Sequence, residues 1–315
     1  MGETVRVTTV IVGPTAVGKS ALAMALARRY RAAGRSAEIV NADSMQVYRG
    51  MNIGTAKPSP DDRAEVPHHL IDLLDVTQTA TVAEFQRLAR AAIEDCRRRG
   101  VVPLVVGGSA LYVRAIVDDF EFPGTDEALR QQLEAELARL GAAVLHQRLA
   151  VLDPAAAATI LPANGRRVVR ALEVNALTGG PFSSSLPPRT YLLPDVVQLG
   201  LDIDRPTLDA RIAGRVHAMW EAGFVDEVRR LADRGLRDGV TASRALGYRQ
   251  ILMYLDGAVD EDEARELTIV GTRKFARRQD SWFRKDERIH RLAPDDPDLL
   301  DRAYALSNVA DSSHA

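Results

Sequence analysis

Residues 7–28 read Val7-Thr8-Thr9-Val10-Ile11-Val12, then Gly13-Pro14-Thr15-Ala16-Val17-Gly18-Lys19-Ser20, then Ala21-Leu22-Ala23-Met24-Ala25-Leu26-Ala27-Arg28. An apolar run, a glycine-rich turn and a run of strong helix formers follow one another, with G-x-x-x-x-G-K-[ST] at the junction. Strand, turn and helix in that order are what a phosphate-binding P-loop requires. Gly13 and Gly18 let the backbone curl without a Cβ clash, so successive N–H groups point inward at phosphate oxygens. Lys19 adds a mobile point charge, and the Ser20 hydroxyl is placed to reach a Mg²⁺ ion on the same phosphates. Gly13, Pro14, Thr15, Ala16, Val17, Gly18, Lys19 and Ser20 are therefore expected to hold a polyphosphate, for which a nucleotide such as ATP is the ordinary occupant.

Composition bounds the rest. A chain of 315 residues, 46% hydrophobic and 27% charged, has enough apolar material for a full core in one large domain or two modest ones. The formal net charge of −2 excludes a global basic field, so any nucleic-acid contact must rest on local patches. The single cysteine, Cys96, lies in a helical stretch and reads as a buried, inert thiol without a disulfide partner. No leader pattern opens the chain, and no apolar run approaches the roughly 20 residues a bilayer span needs. A cytoplasmic, monomeric enzyme without membrane contact is the expectation.

Along the chain, helix 1 should end near Gly34. A short strand, Ala37 to Asp43, then finishes on an acid at the carboxyl end of the sheet, where ligands gather. Met51 to Pro58 reads as a loop, with Pro58 and Pro60 excluding a helix. His68 and His69, adjacent on an extended segment, point to opposite faces and make a poor metal pair, so a hydrogen-bonding role is expected. Thr81 to Arg99 is an amphipathic helix, with Thr81 as N-cap and Glu84 at capping-box spacing. Val101 to Val106 is a buried strand, and Gly107-Gly108-Ser109 opens the helix Ala110 to Ile116 as a second glycine turn. Alternation of strands and helices implies a doubly wound parallel α/β core.

After Asp118-Asp119 the alternation stops. Helical segments Asp126–Leu140, Ala143–Leu152, Pro154–Ile160 and Arg166–Leu177 follow, punctuated by proline and glycine. The expected organisation is α/β, a P-loop NTPase-like parallel sheet core at 1–119 and 196–315 interrupted by a helical insertion at 120–195. Strand character returns at Val196 to Ile203, and helices Pro206–Gly223, Phe224–Arg234, Ser243–Leu255 and Asp260–Arg284 complete a helical carboxyl part. Ser307 to Ala315 should fray.

Basic residues concentrate late in the chain. Arg273, Arg277 and Arg284 recur at helical spacing, with Phe275, Trp282 and Phe283 expected to anchor that helix to the core. Arg166, Arg167 and Arg170 form a second cluster. Either cluster alone reads as a solvated helix face; together, on a phosphate-binding protein, they make an extended polyanion the better reading. The P-loop leaves nucleotide hydrolases, small-molecule or nucleotide kinases, and transferases with a diphosphate leaving group. Asp43 is placed either to deprotonate a nucleophile or to hold a metal. Residue chemistry alone leaves that choice open.

Further stretches match one family in order. They are Asn41-Ala42-Asp43-Ser44-Met45-Gln46-Val47-Tyr48, Met51-Asn52-Ile53-Gly54-Thr55-Ala56-Lys57-Pro58 and Pro67-His68-His69-Leu70-Ile71-Asp72. Val106-Gly107-Gly108-Ser109, Arg170-Ala171-Leu172-Glu173-Val174, Ala245-Leu246-Gly247-Tyr248-Arg249-Gln250, and Thr272-Arg273 through Arg277-Arg278-Gln279 to Trp282 continue the match. With the P-loop, these resemble the bacterial tRNA dimethylallyltransferases of the isopentenyltransferase family over nearly the whole chain. The resemblance implies transfer of a dimethylallyl group from dimethylallyl diphosphate to N6 of the adenine 3′ to the anticodon. The P-loop would then hold the leaving diphosphate, with Mg²⁺ near Ser20. Asp43, Lys19 and Arg249 would be catalytic. Asp43, Ser44, Met45, Gln46, Ser109, Asp126, Arg166 and Arg167 would contact the tRNA anticodon stem-loop. Ser109 stands where the family commonly has threonine, and Arg166 where it frequently has glutamine. A small-molecule or nucleotide kinase on the same scaffold is the alternative.

Overall fold

The computed structural model describes residues 7–120, 122–182 and 189–312. Two compact units emerge, one of Met1–Asp119 with Arg189–Ala315, the other Phe120–Pro188. In the first unit β1 (Thr8–Val12), α1 (Lys19–Ala32), β2 (Ala37–Asn41), α2 (Pro60–Glu65), β3 (His68–His69), α3 (Val82–Arg98), β4 (Val102–Gly107) and α4 (Ala110–Val117) lead to the first crossing. The second unit holds α5 (Glu127–Leu140), α6 (Ala142–Leu152), α7 (Pro154–Thr159) and α8 (Gly165–Thr178). The chain then returns as β5 (Val196–Leu201), α9 (Arg205–Glu221), α10 (Phe224–Ala232), α11 (Tyr248–Leu255), α12 (Glu261–Phe283), β6 (Ile289–Leu292) and α13 (Leu299–Ser312).

The six strands form one sheet in the order β3-β2-β4-β1-β5-β6. Every pairing is parallel, and β1 sits between β4 and β5 in register Val10 with Val105 and Gln198. Period-2 alternation sends Val10 and Val12 into one apolar layer and Ile11 into the other, as it does Val40 and Ile39 on β2. Residues from Arg189 onward belong to the α/β unit: Tyr191 bridges to Asp118, and the Thr8 N–H donates to the Asp195 carbonyl at 2.9 Å. The helical unit has its own core, which includes Leu133, Leu145, Leu149, Val168 and Leu172.

Several elements depart from the sequence expectation. Pro60 does not exclude a helix; it opens one. It stands in the first turn of α2, where a missing N–H costs nothing, and Ser59 caps it through the Asp62 N–H at 3.1 Å. Ser243–Leu255 is not continuous: a short 3-10 turn at Ala242–Arg244 precedes α11, with Gly247 at φ 84 between them. The strand β6 and most of α13 fall where no element was expected, and Ser307, far from fraying, is 1% exposed and donates to the Ala303 carbonyl. Trp282 does not anchor α12, being 46% exposed; Ala264, Ile269, Ala276, Gln279 and Phe283 do. Among the described residues no helix is long and apolar enough to cross a membrane.

Candidate active site

The sheet order makes the turns after β2, β4 and β1 neighbours at one carboxyl edge. Those turns carry Asp43, Gly107-Gly108-Ser109 and the P-loop. The loop curls through positive φ at Gly13 (143), Ala16 (64) and Gly18 (111). At Gly13 a Cβ would lie 2.8 Å from the Leu201 carbonyl oxygen, so glycine is needed there for space as well as for conformation. A Cβ on Gly107 would stand 2.6 Å from Ala42, which is how closely the turns after β4 and β2 approach.

Lys19 Nζ donates to the Pro14 carbonyl at 2.7 Å. Burial pushes its ammonium down to about 8, a shift that Asp43 opposes and Arg215 reinforces. Arg215, on α9, is itself lowered by burial and raised again by Asp43. Two partly desolvated cations and the Asp43 carboxylate therefore act on one another at the cradle. Sequence reasoning missed Arg215. The available signal was on α9, where Arg211 and Arg215 lie four residues apart beside the buried stripe Leu208, Ile212 and Val216. Arg211 reaches the Val17 carbonyl at 3.5 Å.

Asp43 is set by a short polar turn. Its N–H donates to Asn41 Oδ1 at 2.9 Å, and its Oδ1 accepts the Met45 N–H at 2.9 Å. Asn41, 4% exposed, also donates to the Leu70 carbonyl, which ties the turn to the chain after β3. Oδ2 of Asp43 has no partner among the described residues. Ser44 shares a hydrogen bond with Tyr112, whose phenol is pushed up to about 12, first by burial. Gln46 Nε2 donates to the Thr55 carbonyl at 3.1 Å. Ser109 is half-buried, with no capping bond from its side chain. Ser20 is exposed at the start of α1.

Other sequence candidates are not assembled at the cradle. Arg249 is exposed, and among the described residues its guanidinium bonds none of the cradle residues. Asp126, Arg166 and Arg167 belong to the helical unit. Asp126 caps α5 through the Leu129 N–H at 3.0 Å, while Arg166 and Arg167 are exposed on the first turn of α8. Arg170 departs from the basic cluster expected with them. It donates to the Pro123 and Gly124 carbonyls and to the fully buried Glu173, and so serves the internal structure of that unit.

The remaining chemistry-bearing group lies on the amino side of the sheet region. Glu38, His69 and Cys96 have ligand atoms within 4.8 Å of one another. Arg99 nevertheless engages both Glu38 oxygens, at 2.8 and 2.7 Å, and His69 Nε2 meets the same carboxylate at 2.7 Å. Burial, with Glu38 adding, pushes the Cys96 thiol up to about 12. This is a hydrogen-bonded junction of β2, β3 and α3 around an inert thiol. His68 Nδ1 turns away to the Val66 carbonyl at 2.7 Å.

A doubly wound parallel sheet with a glycine cradle, a half-buried lysine and an aspartate on adjoining strand ends defines a P-loop protein that handles a phosphorylated substrate. Comparison with known proteins narrows the class. The IPP transferase family matches residues 46–286. A curated tRNA dimethylallyltransferase of Thermobifida fusca is 62% identical over 94% of this chain and 92% of its own length. Among solved structures, the tRNA isopentenylpyrophosphate transferase of Bacillus halodurans is similar at TM-score 0.69 and 39% identity, covering 98% of this chain and 96% of that one. A eukaryotic dimethylallyltransferase acting on tRNA is similar at TM-score 0.83 and 27% identity, covering 99% of this chain and 81% of that one. The chain belongs to the IPP transferase family.

Proposed function

We propose that the chain transfers a dimethylallyl group from dimethylallyl diphosphate to N6 of the adenine 3′-adjacent to the anticodon in tRNA, releasing diphosphate. The observation that carries this reading is the convergence of Asp43, Lys19 and Arg215 at the glycine cradle of an IPP transferase family member.

The allylic C–O bond breaks as negative charge grows on the departing diphosphate. Cradle N–H groups, Lys19 and Arg215 meet that charge in a site where burial already limits hydration, so each donor acts more strongly than it would in water. The site also suits Mg²⁺: the Ser20 hydroxyl, exposed at the start of α1, is a hard oxygen that would hold the ion beside the diphosphate oxygens. When bound, the ion neutralises diphosphate charge. The free Oδ2 of Asp43 accepts a proton from the adenine amine as the new C–N bond forms. That lone pair is delocalised into the ring, so a positioned base contributes about 10²–10⁴-fold. The base must leave the anticodon loop to reach the donor carbon, and Ser44, Met45, Gln46 and Ser109 are the residues at the strand ends that would receive it.

Exposed Arg166, Arg167, Arg277 and Arg278, together with Asp126, are assigned to the anticodon stem-loop, with phosphate contacts that make binding salt-sensitive. Arg249, exposed on α11, is assigned to the charge that grows on the departing diphosphate. The enzyme works in the cytoplasm as a monomer. The test incubates the protein with unmodified anticodon stem-loop RNA and labelled dimethylallyl diphosphate. Mg²⁺-dependent label in adenine is the expected result. Transfer of the γ-phosphoryl group from ATP with no prenyl transfer would overturn the reading in favour of a kinase.

A further inference from the structure

Gln279 lies near the carboxyl end of α12 and is 7% exposed, yet it joins the two glycine turns of the site. Its Oε1 accepts the Thr15 N–H at 2.9 Å, and its Nε2 donates to the Gly108 carbonyl at 2.8 Å. Only one orientation of the amide satisfies both partners, because one offers a proton and the other a lone pair. The turns so joined follow β1 and β4, whose last paired residues are Val12 and Gly107.

The Thr15 N–H belongs to the same planar peptide as the Pro14 carbonyl. In a trans peptide the two groups point in opposite directions. Fixing the N–H against Gln279 therefore aims the carbonyl the other way, and what it meets is Lys19 Nζ at 2.7 Å. Gly108 fits the same arrangement: a Cβ there would lie 2.5 Å from Gln279 Nε2. The space that glycine leaves is filled by the glutamine amide.

We infer that Gln279 is a positioning residue for the diphosphate site: through the Pro14–Thr15 peptide it sets the resting place of Lys19, and through Gly108 it fixes the distance between the two turns. Because α12 also carries the exposed Arg277 and Arg278, the same helix that is assigned to RNA holds the donor cradle in shape. The inference rests on the reading of the cradle as the diphosphate site.

Binding of inorganic diphosphate by calorimetry, which needs no turnover, is measured beside the steady-state constants for the prenyl donor and the RNA. Gln279→Ala and the volume-conserving Gln279→Met should weaken diphosphate binding and raise the donor KM by about tenfold, the scale of one lost hydrogen bond to a positioned group. Stem-loop affinity should stay within twofold. Gly108→Ala should reproduce the donor defect by displacing the amide, and combining it with Gln279→Ala should add nothing, since the shorter side chain leaves room for the methyl. A purely structural role would lower Tm and active fraction and leave the donor KM of the folded enzyme in place. Folded Gln279 variants with diphosphate affinity and donor KM within twofold of the parent overturn this inference alone. A parent that binds no diphosphate overturns the donor-site reading, and the inference with it.

Discussion

The Tyr248 hydroxyl donates to the Glu227 carboxylate across 2.6 Å, inside the packing between α10 and α11. The same carboxylate accepts backbone N–H groups from Asn52, Ile53 and Gly54 at 3.1, 2.8 and 3.3 Å. One buried anion thus ties two late helices to the loop at Met51–Pro58, and burial with Glu227 holds the Tyr248 phenol well above its ordinary value. Gly54 allows the approach, since a Cβ there would fall 2.2 Å from the Phe224 ring. Lys57 closes the other end of the loop by donating to the Tyr48 carbonyl at 2.6 Å and to Asp72 at 2.7 Å. The loop in turn receives Gln46 through Thr55, so its shape reaches the residues beside Asp43.

Glu227→Ala should therefore cost about 3 kcal/mol or more, because it strands several buried donors at once. Tyr248→Phe removes one donor and leaves the carboxylate its backbone partners, so about 1 kcal/mol is expected. Urea unfolding midpoints at neutral pH distinguish the two. An unchanged midpoint for Glu227→Ala would show that the loop does not depend on this anion.

Replacing Asp43 by Asn keeps the turn, since the side-chain oxygen still accepts the Met45 N–H, and removes only the basic oxygen. Stem-loop affinity should be preserved while kcat falls by about 10²–10⁴-fold. Equal losses in RNA affinity and kcat would make Asp43 a binding residue instead.

Lys19 gives the site a pH dependence. Its folded value of about 8 lies below the ordinary 10.5, so the cation that meets diphosphate is present below pH 8 and is lost above it. The donor KM should rise as pH goes from 7.5 to 9.5, with kcat less affected, and Lys19→Arg should flatten that rise because a guanidinium stays charged. For stability the sign is opposite. Burying the charged lysine costs most below pH 8, and the cost is relieved between 8 and 10.5. A donor KM that is flat across this range would remove Lys19 from the charge-matching role.

The fold was largely legible because its signals are local. Val7 to Arg28 specifies strand, turn and helix by composition, and Gly107-Gly108-Ser109 repeats the device after β4. Pro60 misled because proline reads as a helix breaker until its place in the first turn is known. Trp282 misled because helical spacing shows which residues share a face and not which face is covered. β6 was missed for a related reason: Ile289-His290-Arg291-Leu292 alternates apolar ends with exposed polar centres and looks like a surface segment, yet it pairs with β5. In the site, the residues singled out on turns after strands do lie along one edge of the sheet, since topology brings strand ends together. Arg215 and Gln279 were not singled out for roles at the cradle. Both reach it from long helices far along the chain, and only tertiary packing decides which residue on such a face turns toward a loop.

The junction at Glu38 gives the last prediction. The Arg99 fork, opposed by burial and helped by His69, holds the Glu38 carboxyl at about 2, well below its ordinary 4.5. A depressed carboxylate contributes stability that is full above pH 4.5 and is lost as pH falls toward 2. Arg99 is 43% exposed and Glu38 11%, so screening reduces what the shift alone suggests, and Arg99→Ala should cost about 2 kcal/mol at pH 6. That difference should shrink by more than half by pH 3, measured as the gap between the urea midpoints of parent and variant. Cys96 reports the same junction independently. With its thiol pushed up to about 12, it should resist a thiol reagent at pH 8 in the folded parent and react no faster in folded Arg99→Ala, because Arg99 is a cation that favours the thiolate and its loss leaves Glu38 unopposed beside it. A gap between the midpoints that stays constant from pH 6 to pH 3 would mean that Arg99 acts through packing and not through the Glu38 charge.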